Sequence, residues 1–302
     1  MLKKTISINN PVRIRSRFNQ LLIQDQLGEI HSRPLEDYMF LLVDHPQVSI
    51  TMPALLECIN NQVAVVICDD KHMPSGMFVP LAGHTQATIK TLYQVSASKP
   101  LKKNIWQKLV ISKVRNQARH LRSRGVDSSY LDHLATSVRS GDTANAEAQA
   151  AAWYWKRLIP LDNFVRDRFG EAPNHLLNYG YIILRACVAR SLVLAGLYPL
   201  LGIHHKNQYN HYCLADDMME PFRPSMDKHI LQLIEGGYFT EEQVECIAPE
   251  LKRDIIQFLQ TDIKIDGQVR PIQLAIQATC SSLSKCFEES SAVSLLLPEF
   301  LV

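Results

Sequence analysis

The chain has 302 residues, of which 21% are charged and 46% are hydrophobic. This globular composition excludes a disordered, collagen-like or disulfide-scaffold chain, and the length favours about two domains. The formal net charge of +2 averages an uneven chain, because residues 71–126 carry 11 basic side chains and no acidic one, against 6 and 8 in residues 1–70 and 15 and 22 in residues 127–302. Such segregation is typical of a protein with an anionic partner.

Strand-like alternation dominates residues 1–83. Ile6 and Ile8, and then Val12 and Ile14, alternate with polar neighbours, which is the period of a β-strand. Short apolar runs at 21–23, 40–43 and 63–68, and a small helix at 53–59 with proline in its first turn, complete this part. We predict a mixed β-sheet with one small helix. The chain contains no glycine-rich nucleotide-binding motif, which excludes a nucleotide loop of that kind.

A helical period begins near His84. Serine, proline and glycine signals bound the predicted helices, which cover residues 98–124, 145–158, 174–195, 224–236, 249–259 and 271–288. The pair Asp266-Gly267 predicts a hairpin turn. The predicted fold class is therefore α+β, with an N-terminal β-rich domain over residues 1–83 followed by a larger all-α domain over residues 84–302.

Three features bear on the cellular compartment. The most apolar long stretch, residues 176–201, carries Arg185 and Arg190 near its middle, which favours a buried helix over a membrane span. The first ten residues lack the apolar stretch of a signal peptide. Seven scattered cysteines contain no Cys-x-x-Cys pair, so no zinc ribbon of that pattern is present. We predict a cytoplasmic protein with no membrane partner.

The long basic helix carries its positive charge on one face. On a helical projection its apolar residues form one stripe, and the opposite face holds Lys108, Arg115, Arg119 and Arg122. A solvated face is one interpretation. Because like charges destabilise a helix and no acid relieves them within residues 71–126, an anionic partner is the other. Nucleic-acid phosphate is the commonest such partner, while an acidic protein surface or a membrane stays open.

An imidazole and several carboxylates lie close together in the second half of the chain. His205 stands in a polar loop, and Asp216, Asp217 and Glu220 follow within 15 residues. If a short helix precedes Glu220, Asp217 and Glu220 share one face of it. These groups suit Mg²⁺ or Mn²⁺. The spacing is equally compatible with aspartates that cap a helix and a histidine that only satisfies the loop backbone.

Glu147 is a candidate for a further carboxylate. It lies in the first turn of the helix predicted over residues 145–158, where an acidic side chain favourably offsets the helix dipole. This structural role alone explains its position, so a role as ligand stays an alternative.

Several segments resemble one known family in the order that the family shows. The chain is similar to the CRISPR-associated integrase, the metal-dependent DNase subunit of the spacer-acquisition complex. Two further segments, at 68–71 and 297–300, resemble its type II branch. The segments that carry the general resemblance are Leu177-Asn178-Tyr179-Gly180-Tyr181, Gly202-Ile203-His204-His205, Ser140 to Ala148 and Leu214 to Pro224.

The resemblance implies a catalytic site. Carried over position by position, the metal ligands are Glu147, His205 and Glu220, with Mg²⁺ or Mn²⁺ as the cofactor. Asp217 is implied as a catalytic residue close to the metal or to its ligands, although Asp216 beside it leaves that choice open. The neighbouring Lys206 and Arg223 are implied to neutralise phosphate charge, and the basic helix to hold the DNA backbone.

The implied reaction is transesterification. The 3′-hydroxyl of a captured double-stranded DNA fragment attacks a phosphodiester at the border of a CRISPR repeat, and one repeat strand leaves. The resemblance also implies a homodimer through residues 1–83 and a small ferredoxin-like partner protein in a larger complex. Two other functions fit the same residues: a structure-selective nuclease that acts on branched intermediates, and a non-catalytic DNA-binding scaffold.

Overall fold

The computed structural model describes residues 2–70, 72–81, 83–159, 164–167, 170, 173–237 and 247–301. The helices are α1 (Met52–Asn60), α2 (Ala87–Ser96), α3 (Lys99–Ser123), α4 (Ser129–Ser137), α5 (Ala146–Leu158), α6 (Asn174–Leu194), α7 (Cys213–Met219), α8 (Arg223–Glu235), α9 (Pro249–Gln257) and α10 (Ile272–Glu288). The strands are β1 (Lys4–Ile8), β2 (Arg13–Arg17), β3 (Gln20–Gln24), β4 (Ile30–Pro34), β5 (Tyr38–Val43), β6 (Ser49–Ile50), β7 (Ala64–Cys68), β8 (Pro74–Phe78), β9 (Asp262–Ile265), β10 (Gln268–Pro271) and β11 (Pro298–Glu299).

These elements form two compact units. The first comprises Met1–Gly83 with Glu242–Ile256, and the second comprises His84–Glu241 with Gln257–Val302. The α+β class is confirmed, since strands dominate the first unit and helices the second. The helical unit also carries a small sheet of order β10-β9-β11, so it is not purely α-helical.

The first unit contains two four-stranded sheets where we predicted one mixed sheet. One sheet has the order β1-β5-β7-β8, with β1 and β7 parallel to β5. The other has the order β4-β3-β2-β6. The β2–β3 hairpin turns through Phe18 and Asn19, which both have positive φ. This turn contains no glycine, so the usual sequence signal for a hairpin turn is missing. The alternating residues Ile6, Ile8 and Ile14 are buried in the core of this unit.

α9 belongs to the first unit, whereas we predicted every residue after 84 in the helical domain. Lys252 of α9 places its Nζ atom 2.6 Å from Oδ2 of Asp44, and both side chains are almost fully buried. Separating such a buried pair costs several kcal/mol, so the contact holds the helix in this unit. The two residues are 208 positions apart in sequence, which is why helical periodicity could not predict the contact.

Two helices dominate the interior of the second unit. α6 is apolar and long enough to cross a membrane by composition, but 72% of its apolar window is buried inside the unit. α3 begins at Ser98, whose hydroxyl oxygen accepts a hydrogen bond from the Leu101 backbone, as its serine signal predicts. The apolar stripe predicted for α3 is buried, and the polar residues Lys113, Asn116 and His120 are buried as well.

The hairpin at Asp266-Gly267 is confirmed. Both residues have positive φ, and they join β9 to β10 with the register that a two-residue turn requires. β11, near the end of the chain, adds to the free edge of β9. This pairing places Pro298 and Glu299 beside α3, where the Asn116 amide donates to the Pro298 carbonyl oxygen at 3.1 Å.

Candidate metal and DNA site

Asp142, rather than Glu147, caps α5. The Asp142 carboxylate accepts hydrogen bonds from the backbone N–H groups of Ala146 at 2.8 Å and Glu147 at 3.0 Å. This arrangement leaves the Glu147 side chain free of the capping role that its position suggests. Instead, its carboxylate accepts a hydrogen bond from the ammonium group of Lys113 in α3.

Glu220 is the buried carboxylate of the site. It opens a short 3₁₀ turn, Glu220–Phe222, which links α7 directly to α8. Its Oε1 lies 3.1 Å from Arg223 Nη2, and its Oε2 lies 2.5 Å from Lys113 Nζ. Burial opposes the charged form of Glu220, but Arg223 and Lys113 outweigh burial and lower the pKa of this carboxyl. Glu220 is therefore a carboxylate at neutral pH despite a side chain that is only 6% exposed.

His205 is held by Asp217. The His205 Nδ1 lies 2.6 Å from Asp217 Oδ1, which leaves Nε2 as the outward-facing nitrogen. The same carboxylate accepts backbone hydrogen bonds from Ile203 at 2.6 Å, His204 at 3.0 Å and His205 at 3.1 Å. The hydrogen bond to Asp217 raises the pKa of His205, and this outweighs the opposing effect of burial. Asp217 thus shapes the whole loop and fixes the imidazole by a carboxylate–histidine contact of the kind found behind metal ligands.

Only glycine fits at the start of this loop. A Cβ atom on Gly202 would lie 2.2 Å from the His205 carbonyl oxygen and 2.8 Å from Cβ of Cys213. Both contacts are shorter than any that a real side chain makes, so the turn that brings His205 onto Asp217 requires Gly202.

The structure distinguishes Asp217 from Asp216, the choice that the sequence left open, and His205 from its neighbour His204. Asp216 has other partners: its Oδ2 accepts from the Asn210 amide at 2.7 Å, and its Oδ1 lies 3.8 Å from Arg185 Nη1. The His204 ring stacks on Trp106 with ring centroids 4.1 Å apart and planes 2° apart. Asp217 and His205 therefore contact each other, whereas Asp216 and His204 have other partners.

The three predicted ligands are neighbours, but their ligand atoms do not converge on one point. Among the described residues, the only group of three or more whose ligand atoms all lie within 4.8 Å of one another is Asp25, Glu29 and His31. That group lies in the β3–β4 turn, and Asp25 serves the turn by accepting backbone hydrogen bonds from Leu27 and Glu29. We assign no metal to it.

The donor set nevertheless fits a hard divalent cation. Glu147 and Glu220 supply carboxylate oxygens on either side of one ammonium group, and His205 supplies a ring nitrogen oriented by Asp217. The Oε2 atom of Glu220 is buried without a hydrogen bond of good geometry. Mixed oxygen and imidazole ligands of this kind suit Mg²⁺ or Mn²⁺.

Most of the basic residues predicted to bind DNA from α3 are engaged with the protein itself. Lys108 donates to the Ala292 carbonyl oxygen at 2.6 Å. Arg119 lies 3.3 Å from Glu299, and Arg122 lies 2.5 Å from Asp132. The absence of acids within residues 71–126 does not leave these charges unrelieved, because the acids come from α4 and β11. Of the four predicted residues, Arg115 and Arg122 are exposed, and Arg122 is the one of these two that is paired with an acid.

A different basic surface adjoins His205. Lys206 lines a cavity of about 390 Å³ together with Lys102 and His205. It also lines a neighbouring cavity of about 180 Å³ with Lys99, Lys102 and Lys103. Partial burial, and then the charge of Lys206, lower the pKa of Lys102. We call these four lysines the basic groove. The sequence indicated Lys206, but it did not single out Lys99, Lys102 and Lys103, which the fold brings beside it.

Arg223 is supported by a buried polar network. The Arg223 guanidinium lies 4.7 Å from the ring centroid of Tyr181, which is a cation–π contact. The Tyr181 hydroxyl donates to Asp227 Oδ1 at 2.5 Å, and the Tyr154 hydroxyl donates to Asp227 Oδ2 at 2.9 Å. Burial raises the pKa of Asp227 to about 6, although both tyrosines favour its charged form. The network therefore positions Arg223, and through it Glu220.

The stability of the protein should depend on pH through Asp227. Its pKa rises from 3.8 to about 6 on folding, so its contribution to stability is complete below pH 3.8 and is lost as the pH rises through about 6. We expect the stability of the wild type relative to Asp227→Asn to fall by about 2 kcal/mol between pH 4 and pH 7. Urea unfolding of both proteins across this range measures the difference. A difference that stays flat, or grows with pH, contradicts the prediction.

The strand-rich first unit and the helical second unit with its carboxylate–histidine cluster define the chain as an α+β protein with a candidate catalytic site. Comparison with known proteins shows the family to which the chain belongs. The model of the family described as CRISPR associated protein Cas1 matches residues 6–249. A CRISPR-associated endonuclease Cas1 from Neisseria meningitidis serogroup C is 38% identical over 304 residues, which cover 100% of this chain and 97% of that protein. The chain belongs to the Cas1 family.

Solved structures share the fold. A casposase bound to integration product superposes with a TM-score of 0.79 at 19% identity, covering 97% of this chain and 92% of the matched chain. A chain of a Cas6-RT-Cas1–Cas2 complex superposes with a TM-score of 0.77 at 18% identity, covering 99% of this chain and 36% of the matched chain. At these identities the likeness concerns the fold.

Proposed function

We propose that the protein is a metal-dependent DNA integrase and endonuclease of CRISPR adaptation. It would join the 3′-hydroxyl ends of captured DNA to the CRISPR repeat by transesterification. The observation that carries the proposal is the Asp217–His205 contact beside the carboxylates of Glu220 and Glu147, in a chain of the Cas1 family. Two similar proteins support it, since the Neisseria meningitidis relative is named an endonuclease and the casposase of similar fold is bound to integration product.

In this proposal Glu147, Glu220 and the Nε2 atom of His205 would hold Mg²⁺ or Mn²⁺. When bound, the cation would supply charge stabilisation at the scissile phosphate. Asp217 keeps the His205 imidazole oriented through Nδ1 and keeps the loop closed through three backbone contacts. Arg223, braced on the Tyr181 ring, lies where a phosphate oxygen next to Glu220 can be neutralised.

The DNA partner is supported by the basic groove. Lys99, Lys102, Lys103 and Lys206 line two cavities that share Lys102 and Lys206, and the larger of the two is also lined by His205. Closely spaced like charges repel one another, and an anionic backbone between them would relieve the repulsion. Such contacts hold a DNA strand without reading its bases. Arg115 offers an exposed guanidinium on the same helix.

Reversal of charge in the basic groove should weaken DNA binding more than reversal on the face of α3. We expect Lys102→Glu with Lys206→Glu to reduce the slope of log affinity against log salt by about 2, since each phosphate contact contributes about 0.9. Arg122→Glu should have little effect, because Arg122 is occupied by Asp132. Fluorescence anisotropy with a short duplex from 50 to 200 mM salt measures both variants. Equal losses would assign the DNA to the α3 face instead.

The proposal includes a homodimer through the first unit and a complex with a small ferredoxin-like partner. The similarity of this chain to one chain of a Cas6-RT-Cas1–Cas2 complex supports a partner of this kind. A dimer would also cover apolar side chains that the first unit exposes, which include Phe18, Leu27, Ile30, Met52, Leu56, Ile67 and Phe78. We also propose that the protein belongs to the type II branch of the family, because segments 68–71 and 297–300 resemble that branch. We propose a cytoplasmic location.

An integration assay tests the function directly. Short duplex DNA with free 3′-hydroxyl ends is incubated with a supercoiled plasmid that carries the CRISPR repeat, the partner protein and Mn²⁺. We expect joined products that disappear when the 3′-ends are blocked. Cleavage of branched DNA without joining would instead make the chain a structure-selective nuclease. DNA binding with neither reaction would make it a scaffold.

A further inference from the structure

One ammonium group lies between the two candidate carboxylate ligands. Lys113 sits in the middle of α3, and only 7% of its side chain is exposed. Its Nζ atom donates to Glu147 Oε1 and lies 2.5 Å from Glu220 Oε2. Burial works against the charged form of Lys113, but Glu220 and Glu147 outweigh it and raise the pKa of the ammonium. A buried lysine is rare without such partners, and this one has two.

The charges of Glu147, Glu220, Lys113 and Arg223 balance one another without any added ion. Glu147 and Glu220 contribute two negative charges, and Lys113 and Arg223 contribute two positive charges. Without Lys113, two carboxylates would face each other at the edge of the protein interior with Arg223 alone to offset them. Repulsion of that kind is costly in a medium less polar than water. Lys113 therefore stabilises the cation-free protein.

The same oxygens cannot serve Lys113 and a divalent cation together. The ligand atoms of Glu147, His205 and Glu220 do not converge within 4.8 Å among the described residues, whereas both carboxylates contact the one ammonium nitrogen. A Mg²⁺ ion needs carboxylate oxygens at about 2.1 Å in near-octahedral geometry. The ammonium group occupies the space that both carboxylates face, so a cation bound there has to displace it.

We propose that Lys113 is a resident counter-cation of the Glu147–Glu220 pair, which holds the two carboxylates together until a divalent cation displaces it and so opposes metal binding. This inference rests on the proposed metal site. The lysine thereby sets how tightly the protein holds its metal.

Mn²⁺ binding tests the inference without any measurement of activity. We expect Lys113→Met to bind Mn²⁺ at least about tenfold more tightly than the wild type, because a positive charge within a few ångströms of a divalent cation is removed. The variant should also have a lower melting temperature without metal and a larger rise when Mn²⁺ is added. Titration followed by the electron paramagnetic resonance of free Mn²⁺ gives the affinity. Unchanged or weaker binding by Lys113→Met overturns the inference.

The matched control is Lys252→Met. Lys252 is also a buried lysine paired with a buried carboxylate, but its partner Asp44 belongs to the first unit. This variant should lose stability and keep the wild-type affinity for Mn²⁺. Glu220→Gln tests the metal site itself. If this variant binds Mn²⁺ as tightly as the wild type, Glu220 is not a ligand, and both the proposed metal site and the proposed role of Lys113 are wrong.

Chemical labelling of the wild-type chain gives a second test, which does not depend on the folding of any variant. Lys113 should react slowly with an amine-specific acetylating reagent in the absence of metal and at least about threefold faster with saturating Mg²⁺, since displacement exposes its amine. The Lys252 peptide in the same digest is the internal reference and should not change. A Lys113 labelling rate that is the same with and without Mg²⁺ overturns the displacement.

Discussion

Glu220→Gln should reduce strand transfer at least about a hundredfold. Glutamine has almost the same shape but lacks the negative charge that Lys113 and Arg223 face, and it is a poor ligand for a hard cation. Loss of the cation would remove several kcal/mol of charge stabilisation at the scissile phosphate. Each 1.4 kcal/mol corresponds to a factor of about ten in rate. The integration assay with Mn²⁺ measures the rate of joined product.

The control for this prediction is Asp44→Asn. Asp44 is another buried acid with two basic neighbours, Lys252 at 2.6 Å and His72 at 2.9 Å. Its replacement should destabilise the protein to a similar degree, since it breaks a buried pair. Strand transfer, measured well below the melting temperature, should stay within about threefold of wild type, as expected for a site outside the catalytic cluster. Equal losses in both variants would attribute the effect of Glu220→Gln to stability alone and would contradict its assignment as a ligand.

Asp217→Asn should be the second most damaging change. Asparagine has one acceptor oxygen, so it cannot serve the backbone donors of Ile203, His204 and His205 together with the His205 ring. Leaving buried donors unsatisfied in this network should cost about 3 kcal/mol of unfolding free energy. Because the imidazole also loses its orienting partner, Mn²⁺ affinity should fall about 10- to 100-fold. Chemical denaturation and Mn²⁺ titration measure the two effects separately.

Asp216→Asn is the matched control for Asp217→Asn. The two residues are adjacent and chemically identical, but the Asp216 carboxylate accepts from Asn210 and lies 3.8 Å from Arg185. We expect its replacement to change stability by no more than about 0.5 kcal/mol and to leave Mn²⁺ affinity unaltered. A larger effect at Asp216 than at Asp217 would exchange their roles.

Local signals predicted the bounds of most of the long helices, but not the shorter helices α2 and α4. Ser98 and Pro100 mark the start of α3, and Asp266-Gly267 marks the β9–β10 hairpin, because each depends on the backbone preferences of a few consecutive residues. Periodicity likewise separated the strand-rich part from the helical part near residue 84. Signals of this kind need no knowledge of distant residues.

Long-range pairing accounts for what periodicity missed. α9 was predicted in the wrong unit because its partner Asp44 lies 208 residues earlier in the chain. The basic face of α3 suggested unrelieved charge, yet Glu299 and Asp132 relieve Arg119 and Arg122 from other elements. A helical projection cannot include such acids, since it considers one element at a time.

The sequence by itself determined the α+β class, the family resemblance and the residues from which a metal site could be built: Glu147, His205, Asp217 and Glu220. Only the tertiary structure decided how they are used. It gave the capping role to Asp142, set Asp217 behind His205, and placed Lys113 between Glu147 and Glu220. The physical reason is that a capping bond or a turn is local in the chain, whereas the partner of a buried charge is whichever residue the packing of distant helices brings against it.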